Sequence, residues 1–407
     1  MTHPQHPKHL LGSKWTALDY DRSQSPPERH WEAVAFERRE GLLTLEAVLT
    51  GRRTQLPWRA LRDRAEWEPG WTSLASTRPR ALVIGAGLAG LTCAGELGRA
   101  GFSVEVVDKA RGAGGRASTR RAGPRRFDHG AQYFTARDPR FVSRVEAWAA
   151  AGHVALWEGR VVQLDGGGTT GAESDSGQRW VGSPKMSSLV KHLASECGVE
   201  FGVRVSALER SSLGWTALTE DGERLGPFER VVIATPAPQA APLLEEVAPE
   251  LARAVAAVEV APCWATMVEF AEPLDVAWEG AQIPSGSLSW VARDSSKPGR
   301  PPGESWVLHG SPAWSQEHLE ESPSEVSQRL LRALGDLVGP LPEVTHLAAH
   351  RWRYARTVTP LGQDFRFDAD LGLGVCGDYC RGASVEDAFL SGLSLGVCLA
   401  TSPADAP

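Results

Sequence analysis

The chain has 407 residues, 42% of them hydrophobic, with 43 Lys and Arg against 50 Asp and Glu for a net charge of −7. That length allows two or three domains. The negative balance argues against a general nucleic-acid grip, and no apolar run is long enough to span a bilayer. The start, MTHPQHPKHLLGSKW, lacks the apolar core of a secretory signal. Cys93, Cys197, Cys263, Cys376, Cys380 and Cys398 are scattered without a C-x-x-C pair, so the expectation is a cytoplasmic protein with reduced thiols and no metal site.

Residues 1–79 read as a separate module. Five of the 15 tryptophans (Trp15, Trp31, Trp58, Trp67, Trp71) fall here. HWEAVAFE at 30–37 and LLTLEAVL at 42–49 read as two strands joined by 38–41. LPWRALRDRAEWEPGW at 56–71 mixes arginine with tryptophan, chemistry that suits a nucleic acid, a phosphorylated ligand or another partner. The preferred reading is that most of these rings fill a small core. Residues 73–80 form a polar linker. KHLLGSKWTA (8–17), AVLTGRRTQLPWRALRDR (47–64) and WEPGW (67–71) resemble a small bacterial tryptophan-rich family of unknown function, a resemblance that carries no activity with it.

The apolar run 81–84 has the length of a buried strand. Gly85, Gly87 and Gly90 follow with G-x-G-x-x-G spacing: one for a tight turn, one for approach to a pyrophosphate, one for close helix packing. Leu88 and Ala89 complete the turn. A helix over 91–99 presents its N-terminal N–H groups and positive dipole end to phosphates. A second strand, 103–107, ends at Asp108, the position of a ribose-binding carboxylate. The next turn, KARGAGGR at 109–116, is again glycine-rich and basic. Lys109, Arg111, Gly115 and Arg116 suit the extended FAD molecule, with Arg116 helping to neutralise its diphosphate.

Further on, the glycine-rich stretch 166–177 reads as a loop. Residues 230–235 read as a buried strand stopped by Pro236 and Pro238, and 263–270 as a strand of a different sheet. A helix over 322–337 opens with a Ser322–Glu325 capping box and Pro323 at its first position. Near the C-terminus, 373–376 is a short strand running into Gly377 and Asp378, followed by a helix from Ser384 and Val385. Asp378 can accept hydrogen bonds from a flavin's ribityl chain. The helix start can aim N–H groups at the flavin edge that becomes negative on reduction.

With both ends in view, residues 80–400 resemble the renalase-like branch of the FAD-dependent amine oxidase superfamily. The matching stretches are VVDKARGAGGR, FDHGAQYFTARDP (127–139), MSSLVKHLA (186–194), VVIATPAPQ (231–239), APCWATM (261–267), LSWVARDSSKPGR (288–300), HRWRYAR (350–356) and CGDYCRGASVEDAFLSG (376–392). Two departures stand out: Asp108 occupies a position where glutamate is common, and Lys185 precedes Met186 where relatives often carry glycine.

The resemblance implies an α/β fold: a Rossmann-like FAD domain from 80–140, 181–240 and 355–407, with an α+β, mixed-sheet substrate domain from 141–180 and 241–354. It implies that Asp128, His129, Gly130, Ala131, Gln132 and Tyr133 lie over the flavin and that residues around Val205 border the adenine. It further implies oxidation of a dihydronicotinamide isomer of NAD(P)H, with hydride passing to flavin N5 and electrons then to O2. Such a substrate is already a hydride donor, so the site needs stacking, water exclusion and charge stabilisation rather than a strong base. His129, Gln132, Tyr133, Trp352 and Tyr354 are the substrate-face candidates, and no catalytic acid or base is assigned. Oxidation of an amine is the nearest alternative; a non-redox flavin isomerase or redox-sensing protein is another. No covalent-flavin cysteine motif is visible, so FAD is expected to be non-covalent.

Overall fold

Residues 14–17, 30–37, 42–47, 53–57, 67–69, 78–164, 170–173 and 177–402 are described in a computed structural model. Contacts divide the chain into two units, 1–78 with 222–224, and 79–221 with 225–407.

In the first unit, five strands form an antiparallel sheet in the order Arg53–Pro57, Leu42–Ala47, His30–Glu37, Lys14–Ala17, Trp67–Pro69. The two strands expected at 30–37 and 42–49 are its centre, the second ending at Ala47. Leu45 is fully buried. Most of the arginine–tryptophan stretch lies outside the described residues.

In the second unit, Arg80–Ile84 occupies the interior of a six-stranded sheet ordered Val199–Phe201, Ser103–Asp108, Arg80–Ile84, Arg230–Ile233, Leu373–Val375, Arg366–Asp368. The first five strands run parallel and the last antiparallel. The apolar runs of its central strands are buried on both faces, as parallel strands require. The helices Leu88–Arg99 and Val385–Thr401 pack against one face. Val205–Ser211, Gly214–Thr219 and Arg224–Phe228 add a three-stranded sheet.

A seven-stranded sheet runs in the order Thr170–Glu173, Val161–Leu164, Gly280–Gln282, Leu288–Arg293, Glu304–Gly310, Glu259–Phe270, Val344–Thr359. Its two faces differ. Val162, Ala281, Val291, Trp306, Leu308, Trp264 and Val268 share a core with Val326, Leu330 and Leu334 of the helix Pro323–Val338. That helix carries the expected Ser322–Glu325 capping box. The residues that alternate with them point the other way, towards the dinucleotide sheet's end of the unit.

One local reading changes, and two elements stand where none was assigned. Part of the stretch expected as a loop is the edge strand Thr170–Glu173, whose pairing with Val161–Leu164 supplies backbone bonds that local composition does not encode. Residues 378–381 form a short helix. Val344–Thr359 is one 16-residue strand. Among the described residues, no helix is long and apolar enough to cross a membrane.

Candidate functional site

The turn after Arg80–Ile84 is built as the glycine spacing demands. Gly85 has φ +112°, and a Cβ on Gly90 would stand 2.0 Å from the Gly85 carbonyl oxygen, so the helix can begin this close only with glycine. Asp108 closes the turn from the neighbouring strand. Its Oδ2 accepts from the Ala86 N–H at 2.8 Å and its Oδ1 from the Ala110 N–H at 2.7 Å, tying both glycine turns together. Each oxygen keeps lone-pair capacity for a hydroxyl.

These turns open into a cleft of about 1760 Å³. A drug-sized pocket is roughly 300–1,000 Å³, so this one has room for a dinucleotide and a second molecule. Gly85, Gly87, Leu88, Ala89, Asp108, Lys109, Arg111, Gly115, Arg116 and Val205 line one end. Lys109 Nζ donates to Gln239 Oε1 at 2.8 Å, and burial pulls its pKa down. Gly377, Asp378, Ser384 and Val385 line the middle. Here Arg116 forms a bidentate pair with Asp378, one bond of 2.8 Å and one shorter, and Thr357 Oγ1 donates to the same carboxylate at 3.2 Å. Arg116 and Asp378 are thus fixed on each other, with the Arg116 charge partly neutralised inside the protein. Ser384 caps the last helix through a capping box with Asp387.

The segment 128–133 crosses beside this pair. Gly130 lies so close to the Arg116 carbonyl that a Cβ would be 1.9 Å from its oxygen, and the Ala131 N–H donates to that oxygen at 2.8 Å. His129, Gly130 and Ala131 line the cleft, whereas Gln132 and Tyr133 do not. Tyr133 packs behind the wall on Trp157 and Trp290. Gln132 is 7% exposed, and its amide N–H groups donate to the carbonyls of Asp128 and Gly130.

Behind Gln132 lies a buried ionic cluster. Lys297 Nζ donates to Asp294 Oδ1 at 2.7 Å and to Gln132 Oε1 at 3.1 Å. Arg300 forms two bonds with Asp128 Oδ2, and Thr119 Oγ1 donates to Asp128 Oδ1 at 2.5 Å. All four charged side chains are 0–1% exposed. Burial alone would raise both carboxyls; Lys297 and Arg300 hold Asp128 below the usual range, while burial keeps Asp294 above it. The cluster fixes the segment that forms the cleft wall.

The seven-stranded sheet supplies the rest of the cleft. Trp352 Nε1 donates to the His129 carbonyl at 3.0 Å, and the His129 ring stacks on Trp352 with centroids 5.1 Å apart. His350 meets both rings edge-on. Burial lowers the pKa of His129 to about 3 and of His309 to about 4, so both are neutral near pH 7. His129 Nδ1, Trp290 Nε1 and Thr235 Oγ1 are buried, belong to residues lining the cleft, and have no hydrogen-bond partner among the described residues.

Trp352 and Tyr354 both line the cleft. Their strand is irregular there: Ala261 pairs with Arg356 and Cys263 with Trp352, so Arg353, Tyr354 and Ala355 face only Pro262, which offers no N–H. Such bulges re-aim side chains beside active sites. His309, His350, Trp290, Gln163 and Gln282 also line the cleft. Sequence reasoning did not single them out. The available signal was their alternation with buried residues along each strand, which gives a face but not which face meets a ligand.

Three comparisons agree with this arrangement. Residues 145–395 match the family of flavin containing amine oxidoreductases, 83–145 an NAD(P)-binding Rossmann-like domain, and 13–72 a family described only as tryptophan-rich protein. Renalase from Mus musculus is 25% identical over 300 residues, covering 69% of this chain and 86% of that protein. Phytoene desaturase from Rhodobacter capsulatus is 45% identical over 73 residues, 18% of this chain and 13% of its own. Among solved structures, an oxidoreductase from Methanosarcina mazei aligns with TM-score 0.59 at 16% identity, covering 78% of this chain and 99% of its own. Putrescine oxidase bound to putrescine aligns with TM-score 0.60 at 12% identity, covering 79% and 98%. These last two likenesses speak for the fold. The chain belongs to the flavin-containing amine oxidoreductases and is a renalase-like, FAD-dependent oxidoreductase carrying a tryptophan-rich N-terminal domain.

Proposed function

We propose that the protein is an oxidase that takes a hydride from a dihydronicotinamide, an isomer of NAD(P)H, and passes the electrons to O2. One observation carries this reading: among the described residues, the sheet floor of the cleft has no carboxylate. Among the described lining residues the acids are Asp108, Glu220 and Asp378. Asp108 belongs to the glycine turn, Glu220 pairs with Arg204 at 3.1 Å, and Asp378 pairs with Arg116. The floor contributes imidazoles, indoles, amides and the Arg356 guanidinium, while Arg351 and Arg353 are paired with Glu320. A protonated amine would lose hydration there without gaining a counter-charge. A neutral ring attached to phosphates finds aromatic faces and a guanidinium group.

The flavin supplies a two-electron acceptor. The protein's part is binding and shielding. Asp108 and the Gly85–Gly90 turn would hold a ribose and diphosphate, and Thr235 Oγ1 is an unused polar atom of the same cleft. His129 and Trp352 give a stacked wall, and neutral His129 and His309 hold no strong base, which a dihydronicotinamide does not need. Non-covalent attachment is supported by Cys376 and Cys380, which are buried with thiol pKa values pushed up, that of Cys376 by its hydrogen bond with Cys93 and by burial and that of Cys380 mainly by burial, and so are poor nucleophiles.

The test is anaerobic mixing of the yellow protein with candidate donors. Dihydronicotinamide isomers are expected to bleach the flavin band within seconds, and putrescine or benzylamine to leave it unchanged. Bleaching by amines alone would overturn the reading.

A further inference from the structure

The pairing registers place the cleft-facing residues in one transverse row. Gln163 pairs with Gln282, Gln282 with Trp290, Trp290 with His309, His309 with Ala265, and Ala265 with His350. Partners across a ladder share a face, and every member except Ala265 lines the cleft. The row is graded. Its histidine end adjoins His129, Gly130 and Trp352. Its other end carries two carboxamides on neighbouring strands, about 5 Å apart, with Ile283 and Pro284 as apolar walls. Neither amide has a hydrogen-bond partner among the described residues. Between the ends stands Trp290, 8% exposed, with its Nε1 unpartnered.

We propose that Gln163 and Gln282 form a distal specificity subsite that reads the nucleobase of a dinucleotide substrate, whose nicotinamide lies at the histidine end of the same row. The inference rests on the dihydronicotinamide reading and extends it. From His309 to Gln163 is three strand spacings, about 14 Å. A single ring seated among the histidines does not reach that far; a molecule with a second base does. Each glutamine presents a donor and an acceptor side by side, the pattern that pairs with the amine and ring nitrogen of adenine.

The experiment uses the full-chain holoenzyme and equilibrium binding, so it does not depend on turnover. The flavin's visible spectrum is titrated with oxidised NAD+ and with nicotinamide mononucleotide, in the wild type and in Q163L/Q282L. Q163A, a change at an exposed position, is the second variant should the double one lose flavin. The wild type is expected to bind NAD+ at least about tenfold more tightly than the mononucleotide, and the double variant to lose most of that ratio, as expected for two hydrogen bonds. A wild type without preference, or a variant that keeps it, overturns the subsite while leaving the dihydronicotinamide reading intact. If neither nucleotide perturbs the flavin and amines do, both fall together.

Discussion

Replacing Lys297 by methionine isolates the cluster that holds the cleft wall. Lys297 Nζ is 2.7 Å from Asp294 Oδ1, and both side chains are fully buried. Removing one partner of such a pair leaves an uncompensated buried charge and costs about 3–5 kcal/mol. The sign of the pH dependence follows. Burial already raises the Asp294 pKa above 3.8, and loss of the cation raises it further. A carboxyl whose folded pKa is raised destabilises progressively as pH climbs past its unfolded pKa. The deficit of K297M should therefore be about 3–5 kcal/mol at pH 8 and shrink by pH 5. Urea unfolding followed by flavin fluorescence measures both. D294N/K297M, which removes both charges, should recover most of the loss. A deficit below about 1 kcal/mol at pH 8, a pH-independent deficit, or simple additivity in the double variant would refute the idea that this pair is held against its burial cost.

Other expectations follow from the site. D108A removes the acceptor that links both glycine turns and should weaken FAD binding at least about tenfold; full flavin content with unchanged affinity in a fluorescence titration would refute the assignment. G130A places a Cβ 1.9 Å from the Arg116 carbonyl oxygen, so it should cost about 1–3 kcal/mol and loosen FAD, read by flavin release on heating. His309, with its pKa lowered from 6.5 to about 4, stabilises the fold above pH 6.5, and that contribution is lost as pH falls towards 4. H309Q should therefore flatten the stability profile between pH 7 and 5 by about 2 kcal/mol, measured by urea unfolding. Removing residues 1–78, while keeping the Pro79 carbonyl that accepts from the Ser103 N–H, should give a soluble, yellow protein; insoluble, flavin-free product would show that the module is part of the flavin fold.

The parts of the fold legible in sequence are those in which the constraint is local. Gly85 and Gly90 announce their turn because each is required by a backbone distance or dihedral a few residues away. Ser322 and Glu325 announce their helix for the same reason. Asp108 could be placed because the strand it ends is adjacent to the one before the turn. The edge strand Thr170–Glu173 could not, since its hydrogen bonds come from a partner and the glycine-rich sequence around it speaks for a loop. The partnership of Arg116 with Asp378 was also hidden. Both were read as cofactor contacts, yet 262 positions separate them, and only the folded sheet brings the guanidinium to the carboxylate.

The cleft floor shows the same limit more sharply. Along Glu304–Gly310, alternation says that His309 faces opposite Trp306 and Leu308, but not that the opposite face is a ligand site and not solvent. That knowledge resides in register. His309 acquires meaning only because it lies between Trp290 and Ala265, with Gln282 and Gln163 beyond on one side and His350 on the other. Six residues drawn from six strands become one surface, and a one-residue slip in any of those strands would turn its member of the row into the core. Selection on such a floor acts on register as much as on residue type. Substitutions that leave the floor untouched but shift a strand, such as one relieving the bulge opposite Pro262, should therefore alter substrate choice without changing a single contacting side chain.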